Sequence, residues 1–305
     1  MWLKYGVNPS GYLVSIDEVS SGKTNLTCLY CGGGLTAKKG KVKEHHFAHT
    51  GETCKPVVSR NKYKKFPGLP LYDRFNIQLP GAEVEELKTL WKEYQSQGLL
   101  IPRDLVDFRW ILKGLMQSVK DGECEFSNLG KIPVGALELA AFNEVQEPLL
   151  LAELSRFEQA AQRAELASYS NLEEYLADLK LYRAMLRRIW QNSLYFLQVK
   201  TTRKTFYKIG ITTRPIEQRI AEVQQDLRQH FSHPVVNLLG LWEHRGNVEL
   251  YFKHRYHFYN YRIGKLTEYF QFPDVKPVQD DLFGMKEKVF SEVERGVLRD
   301  GVAIA

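Results

Sequence analysis

Apolar positions recur along this chain in two rhythms, and the switches between them mark its parts. Over residues 82–98, Val84, Leu87, Leu90 and Trp91 fall at helical spacing and Gly98 ends the run, which predicts an amphipathic helix. Leu105, Phe108, Ile111, Leu112 and Leu115 predict a second helix over 103–119. Residues 122–145 carry Gly130, Pro133 and Gly135 and read as irregular, then helical. Pro148 is placed to open a helix that reaches about Leu166. Asn171 caps another over 172–192, whose face carries Leu172, Tyr175, Leu179, Tyr182, Leu186 and Ile189.

From Leu194 the pattern becomes that of strands. Leu194–Val199 and Phe206–Ile211 predict a hairpin about the polar turn Lys200–Thr205. Thr213-Arg214-Pro215 then opens a helix, with Thr213 as its cap and Pro215 in its first turn. Its apolar stripe is Ile216, Ile220, Val223 and Leu227. Val235–Trp242 reads as a third strand. A helix from near Val248 places Glu249, Lys253 and Tyr256 on one side, at i, i+4 and i+7. Thr267–Phe270 is extended, and 279–297 reads as one helix (Leu282, Met285, Val289, Val293) packed on the module before it. Near the N-terminus Tyr12–Ile16, Leu35–Lys38 and the segment around Phe47 read as short strands. The expected class is α+β. It comprises a small β-rich N-terminal module, a helical middle, and a C-terminal α/β domain with a small antiparallel sheet flanked by helices.

Composition narrows the function classes. With 305 residues, 44% apolar and 26% charged, the chain is globular and holds two domains, or three pieces if one is small. No run approaches the ~18–20 apolar residues of a membrane span. The opening Met1-Trp-Leu-Lys-Tyr-Gly is not a basic stretch leading into an apolar core, so no secretory signal is expected. Four cysteines are too few for a disulfide framework, which points to a reducing, cytoplasmic setting.

Charge adds a division that the total hides. The formal net of +6 resolves into +7 on residues 1–66, −5 on 67–193, +6 on 194–276 and −2 on 277–305. Two basic modules thus flank an acidic helical spacer, with a C-terminal helix beyond. Basic modules of this kind point to a polyanionic partner, nucleic acid above all.

The first basic module holds the densest chemistry. Cys28 and Cys31 form a CxxC followed by three glycines, and Cys54 stands four residues beyond His49. Two thiolates on one turn plus a distant His and Cys are the ligand set of a structural zinc knuckle. The preferred quartet is Cys28, Cys31, His49 and Cys54, with His46 as the alternative ligand and His45 turned to solvent. A module of this size lacks the area for a full core, so the ion would supply much of its stability. The basic stretch Lys38–Lys43 offers Lys39, Lys41 and Lys43 as phosphate contacts. Cys124 reads as a half-buried ordinary thiol.

Cys28-x-x-Cys31, Lys39-Gly40-Lys41, His46-Phe47-Ala48-His49 and Cys54 resemble the N-terminal zinc module of CoiA-like competence proteins. That resemblance covers about 50 residues of the sequence. In that family the module precedes a nuclease domain, which implies business with nucleic acid.

The second basic module resembles the GIY-YIG nuclease family, in its phage-type KIGxT branch. Leu194-Tyr195-Phe196, Lys208-Ile209-Gly210 with Thr212, Arg219 and Glu249 stand in that family's order. The resemblance implies a metal-dependent DNA endonuclease. Glu249 would bind Mg²⁺ or Mn²⁺, Arg219 would hold the scissile phosphate, and Tyr195 would help take the proton from the attacking water. Lys208 stands where the family has its second tyrosine. It is expected to face the phosphate, with the neighbouring Tyr207 on the opposite face. Arg219 also lies one residue further from Gly210 than the usual spacing. His254 is a further candidate as proton carrier or phosphate contact, Glu268 is second choice for metal, and His257 reads as a surface residue. Arg214 and Lys253 are candidate nucleic-acid contacts, and the aromatics Tyr251 to Tyr261 read mainly as core. A non-cleaving nucleic-acid-binding protein that keeps the fold is the alternative. RNA remains open as a substrate, and a single site making double-strand breaks would require a homodimer.

Overall fold

The computed structural model describes residues 3–40, 42–62, 65–120 and 122–299. Its N-terminal part is an antiparallel sheet of β1 (Tyr5–Val7), β2 (Leu13–Ser15), β3 (Gly22–Thr27), β4 (Gly34–Lys38) and β5 (His46–His49). The strands lie in the order β2-β1-β3-β4-β5, and helix α1 (Lys55–Lys62) follows. Register pairs Leu35 with His49 and Ala37 with Phe47. Because side chains alternate across a strand, Leu35, Ala37 and Phe47 go into one core with Leu3, Ile16 and Leu26.

The middle opens with α2 (Gly81–Glu93), and Gly98 closes the turn after it at φ 75°. The expected helix over 103–119 is not formed. Instead β6 (Ile101–Pro102), α3 (Phe108–Leu112), β7 (Met116–Ser118) and β8 (Glu123–Phe126) build a three-stranded sheet in the order β6-β8-β7. Asp107 caps α3 by accepting from the Arg109 amide, and Gly114 at φ 69° turns the chain out of it after little more than one turn. Leu105, Phe108 and Leu112 of the supposed stripe are exposed, whereas Val106, Trp110 and Leu115 are buried. Cys124 on β8 is fully buried rather than half-buried. Short α4 (Asn128–Lys131) follows, with Ser127 accepting from the Gly130 amide.

Helix α5 (Leu139–Leu166) begins nine residues before Pro148, not at it. An internal proline costs a helix about 3 kcal/mol. Tertiary anchors hold the turns before it. Leu139 and Phe142 are fully buried, and Asn247 Nδ2 donates to Asn143 and Gln146 at 2.8 and 2.9 Å. Helix α6 (Leu172–Gln191) matches its expected span to one residue.

The C-terminal part is a four-stranded antiparallel sheet of β9 (Ser193–Lys200), β10 (Thr205–Thr212), β11 (Val235–Trp242) and β12 (Tyr269–Phe270). Its order is β11-β9-β10-β12, with α7 (Ile216–Arg228) and α8 (Glu249–Arg255) among its flanking helices. One face carries Leu194, Phe196, Tyr207, Ile209 and Phe270 into a core with Tyr251, Phe252, Phe142 and Leu139. The other carries Tyr195, Leu197, Val199, Phe206 and Tyr269 against Val223 and Leu227 of α7. The expected tail helix is two helices, α9 (Lys276–Phe283) and α10 (Glu292–Arg299). Val278, Leu282 and Met285 pack with the first of these two sheet faces, while Val289 and Val293 are exposed.

The chain divides into two compact units. One draws on residues up to 69, 150–188 and from 290 onward; the other on 70–149 and 189–289. The acidic segment 67–193 is therefore not a separate bundle, and α10 belongs to the first unit rather than to the C-terminal sheet. Each unit gathers its core from stretches far apart in sequence, which a reading of contiguous segments does not reveal. Among the described residues no helix is long and apolar enough to cross a membrane.

One close approach fixes the small sheet on its neighbour. A Cβ at Gly130 would lie 1.9 Å from the Leu115 carbonyl oxygen, a backbone atom that cannot rotate away. Gly130→Ala should lower the stability of the second unit by about 2–3 kcal/mol. Urea unfolding checks this, and an unchanged midpoint would count against the contact.

Candidate functional site

Two clusters of chemistry stand out, one in each unit. In the first, the donor atoms of Cys28, Cys31, His49 and Cys54 all lie within 4.8 Å of one another. Cys31 Sγ and His49 Nε2 are 3.3 Å apart. Bonds of ~2.3 Å to sulfur and ~2.0 Å to nitrogen give a tetrahedral zinc site edges of about 3.5–3.8 Å, so the set fits that ion.

Local sequence makes the cradle. The Cys28 amide donates to the Gly33 carbonyl at 2.8 Å, closing the turn through Gly32 at φ 70°. The Tyr30 and Gly33 amides point at Cys28 and Cys31 sulfur, each at 3.4 Å. The β4–β5 pairing brings His49 across, and Cys54 sits just ahead of α1, whose N-terminal end favours a thiolate. Burial, with the neighbouring Cys54 and Cys31, pushes the Cys28 thiol up to about 12. Burial likewise raises Cys54 and lowers His49. His46 lies outside this set; its Nδ1 is 2.7 Å from the Glu44 carbonyl oxygen. His45 is exposed, as expected.

The second cluster grows from the C-terminal sheet. The β9–β10 register sets Gly210 opposite Tyr195 and Lys208 opposite Leu197. All four point to the face covered by α7, while Tyr207 packs on Phe196 on the other. Gly210 is required here. A Cβ on it would lie 2.3 Å from the Tyr195 hydroxyl, which crosses above it. Arg219, on the first turn of α7, donates through Nε to that hydroxyl at 3.1 Å and through a second nitrogen to Glu222 at 2.9 Å. Burial raises the Tyr195 pKa, and the Arg219 charge opposes the rise.

Lys208 Nζ donates to Glu268 at 2.7 Å and sits over the Tyr269 ring. Lys253 Nζ lies 3.0 Å from an oxygen of Glu249 and 3.0 Å from an oxygen of Glu268. A chain of alternating sign results: Lys208, Glu268, Lys253, Glu249. Burial pulls the Lys208 pKa down, against the pull of Glu268. Burial would raise Glu268, but Lys208 and Lys253 together hold its carboxyl at about 2. For Lys253 the two carboxylates outweigh burial and raise its pKa.

The structure therefore brings Tyr195 beside Arg219, and Lys208, Lys253 and Glu249 into one ladder with Glu268. It does not bring His254 there. That ring stacks on Phe75 at 5.0 Å, with Nε2 3.0 Å from the Ile132 carbonyl oxygen. His257 is exposed, with Nδ1 2.7 Å from the His254 carbonyl oxygen. Tyr256 turns away to donate to Asp281 at 2.6 Å. Arg214 pairs with Glu222, so one carboxylate serves two arginines. The Thr213 cap is absent: Pro215 takes the cap position, and Thr212 accepts from the Arg214 amide at 2.9 Å. Lys39 donates to the Asp17 carbonyl at 3.3 Å, Lys43 is exposed, and Lys41 lies outside the described residues. Glu222 and the Tyr269 ring escaped the sequence reading. Glu222 had a signal, its i+3 spacing from Arg219.

Residues 192–290, about a third of the chain, match the T5orf172 domain. No curated protein and no solved structure matches.

Two outcomes follow from this geometry. Purified without chelators, the chain should carry about one zinc ion, and Cys28→Ser should carry well below that by elemental analysis. A wild-type content near zero would defeat the zinc assignment. Gly210→Ala should displace the Tyr195 ring and destabilise the second unit by about 1–3 kcal/mol. Thermal unfolding reads the loss, and a variant as stable as wild type would show that the ring is not pinned there.

Proposed function

We propose that this protein is a metal-dependent DNA endonuclease that hydrolyses phosphodiester bonds, with the Cys3His module aiding its hold on nucleic acid. The match of residues 192–290 to the T5orf172 domain, a phage-associated domain linked to GIY-YIG-like nucleases, supports a nuclease or nucleic-acid-binding role. The observation that carries the finer reading is Arg219. Its guanidinium is held by Tyr195 and Glu222 with a quarter of its side chain still exposed, beside a ladder that ends on Glu249. A fork of donors fixed in this way suits a phosphate oxygen as charge develops on it. Tyr195, sharing its hydroxyl with Arg219, is the group beside the phosphate that can pass a proton. Lys208 adds a charge behind it.

Glu249 and Glu268 offer the hard oxygen donors that Mg²⁺ or Mn²⁺ prefers, and the ion would supply the Lewis acid. One specific feature favours a second reading, a nucleic-acid-binding protein that does not cleave. The Lys253 ammonium is 3.0 Å from both carboxylates, which is where a bridging divalent ion would go. An ion has to displace it. The two readings separate on Lys253, which in a nuclease would have to leave these carboxylates free for the ion and in a pure binder would stay paired with them.

The test is a Mn²⁺ and Mg²⁺ titration of cleavage on single-stranded, duplex and branched DNA and on RNA. Mn²⁺ binding is followed in parallel by electron paramagnetic resonance. Arg219→Ala and Glu249→Ala should each cut activity by about 10²–10³-fold while the fold persists. Lys253→Met should bind Mn²⁺ more tightly than wild type. No cleavage of any substrate with either ion, together with salt-sensitive binding that Glu249→Ala leaves unchanged, would replace the first reading by the second.

A further inference from the structure

The turn between β9 and β10, the end of α7 and the loop before β12 meet at one end of the C-terminal sheet. Contacts tie them together. Val235 pairs with Lys200 in the sheet, and Phe206 packs on both Phe231 and Tyr261 at 5.4 and 5.7 Å. Lys204 Nζ reaches the Tyr261 hydroxyl at 3.5 Å, and a Cβ on Gly264 would lie 2.8 Å from the His230 ring. Residues 200–205, 228–235 and 261–266 contain no aspartate or glutamate. They carry Lys200, Arg203, Lys204, Arg228, Arg262 and Lys265, all exposed. None of the six pairs with a carboxylate among the described residues. Elsewhere in this unit exposed cations commonly do, as Lys88 does with Glu85 and Lys276 with Asp280.

On the sheet side this end continues the face that carries Lys208. Arg228 follows Arg219 by nine residues of α7, about 13 Å along the axis at ~1.5 Å per residue and half a turn round it. Lys204, just ahead of β10, stands four residues before Lys208, about 13 Å at ~3.3 Å per residue. That reach matches about four base-pair steps of ~3.4 Å along the axis of a duplex.

We propose that this cationic end is a second contact surface, which grips backbone phosphates about four base pairs along a duplex from the Arg219–Lys208 site. The proposal rests on the reading that this unit engages nucleic acid, but not on cleavage. Its six cations give affinity without sequence preference, since phosphates carry no base identity. Lys204 is held over the Tyr261 ring, its ammonium 5.2 Å from the ring centre.

The test is fluorescence anisotropy of the full chain with duplex DNA, duplex RNA and, separately, anionic phospholipid vesicles, across a salt series. The quadruple variant Arg203→Gln/Lys204→Gln/Arg262→Gln/Lys265→Gln is compared with a control of equal charge change, Lys88→Gln/Lys92→Gln/Lys113→Gln/Lys276→Gln. The quadruple variant should bind duplex at least ~10-fold more weakly. Its slope of log affinity against log salt should be shallower by about 3, at ~0.9 per phosphate contact, with the control unchanged and both variants melting like wild type. An unchanged slope, an equal loss in the control, no binding of either duplex by wild type, or binding of vesicles alone would each overturn the proposal. DNA against RNA in the two duplex arms identifies the source of the phosphates. A chain that cuts but keeps its slope in the quadruple variant sinks this surface and leaves the cleavage reading. A chain that binds through these residues and cuts nothing does the reverse.

Discussion

A buried ammonium sets the terms for the second unit. Lys208 lies on a strand covered on both faces, and only 6% of its side chain is exposed. An unpaired charge in such a place costs several kcal/mol, so a carboxylate has to come to it. The β10–β12 register answers that demand, since pairing Lys208 with Tyr269 leaves Glu268 beside the Nζ. Glu268 then has a second oxygen to satisfy and recruits Lys253, which in turn fixes Glu249 on α8. One strand residue thus organises a strand, a loop and a helix. The ladder is also poised rather than closed. Glu268 keeps 43% of its side chain exposed, so a cation arriving from solvent would meet its carboxylate rather than the buried lysine.

That dependence explains what the sequence disclosed. Strand alternation alone puts Tyr207 and Lys208 on opposite faces, because period-2 geometry allows no other arrangement. Helical spacing likewise brought Arg219 and Glu249 to their places, each in the first turn of its helix. The zinc quartet was legible for a different reason. Thiols and imidazole in a short span have few other uses, and three of the four ligands stand in tight turns or next to them. Glu268 could be ranked only second, since a lone glutamate carries no signature until its cation is known.

Other readings failed where local pattern and tertiary packing disagreed. The stripe over 103–119 fitted a helix, but Gly114 and the Asp107 cap cut it short and let Leu115 enter a buried turn. At Pro148 the pattern named a helix start, whereas buried Leu139 and Phe142 hold the helix from well before it. His254 sat one residue after Lys253 on α8, and that single step of ~100° turns it from the ladder towards Phe75. The interleaved units were beyond reach for a similar reason. Charge follows chain order, while cores follow contact.

The two clusters also differ in how they treat a missing cation. In the first, three thiols and an imidazole converge, and burial holds Cys28 up at about 12, so that thiol would give up its proton readily only to a metal ion. In the second, the protein supplies its own cation. Lys253 already neutralises Glu249 and Glu268, and the site is charge-balanced without any ion. An ion held by the first cluster would therefore meet no rival among these groups, whereas one at the second would compete with a side chain. On the proposed nuclease reading, phosphate would shift that competition. An arriving polyanion gives Lys253 a second partner and lowers the cost of releasing the carboxylates. Metal and nucleic acid should consequently bind the second site more tightly together than either does alone.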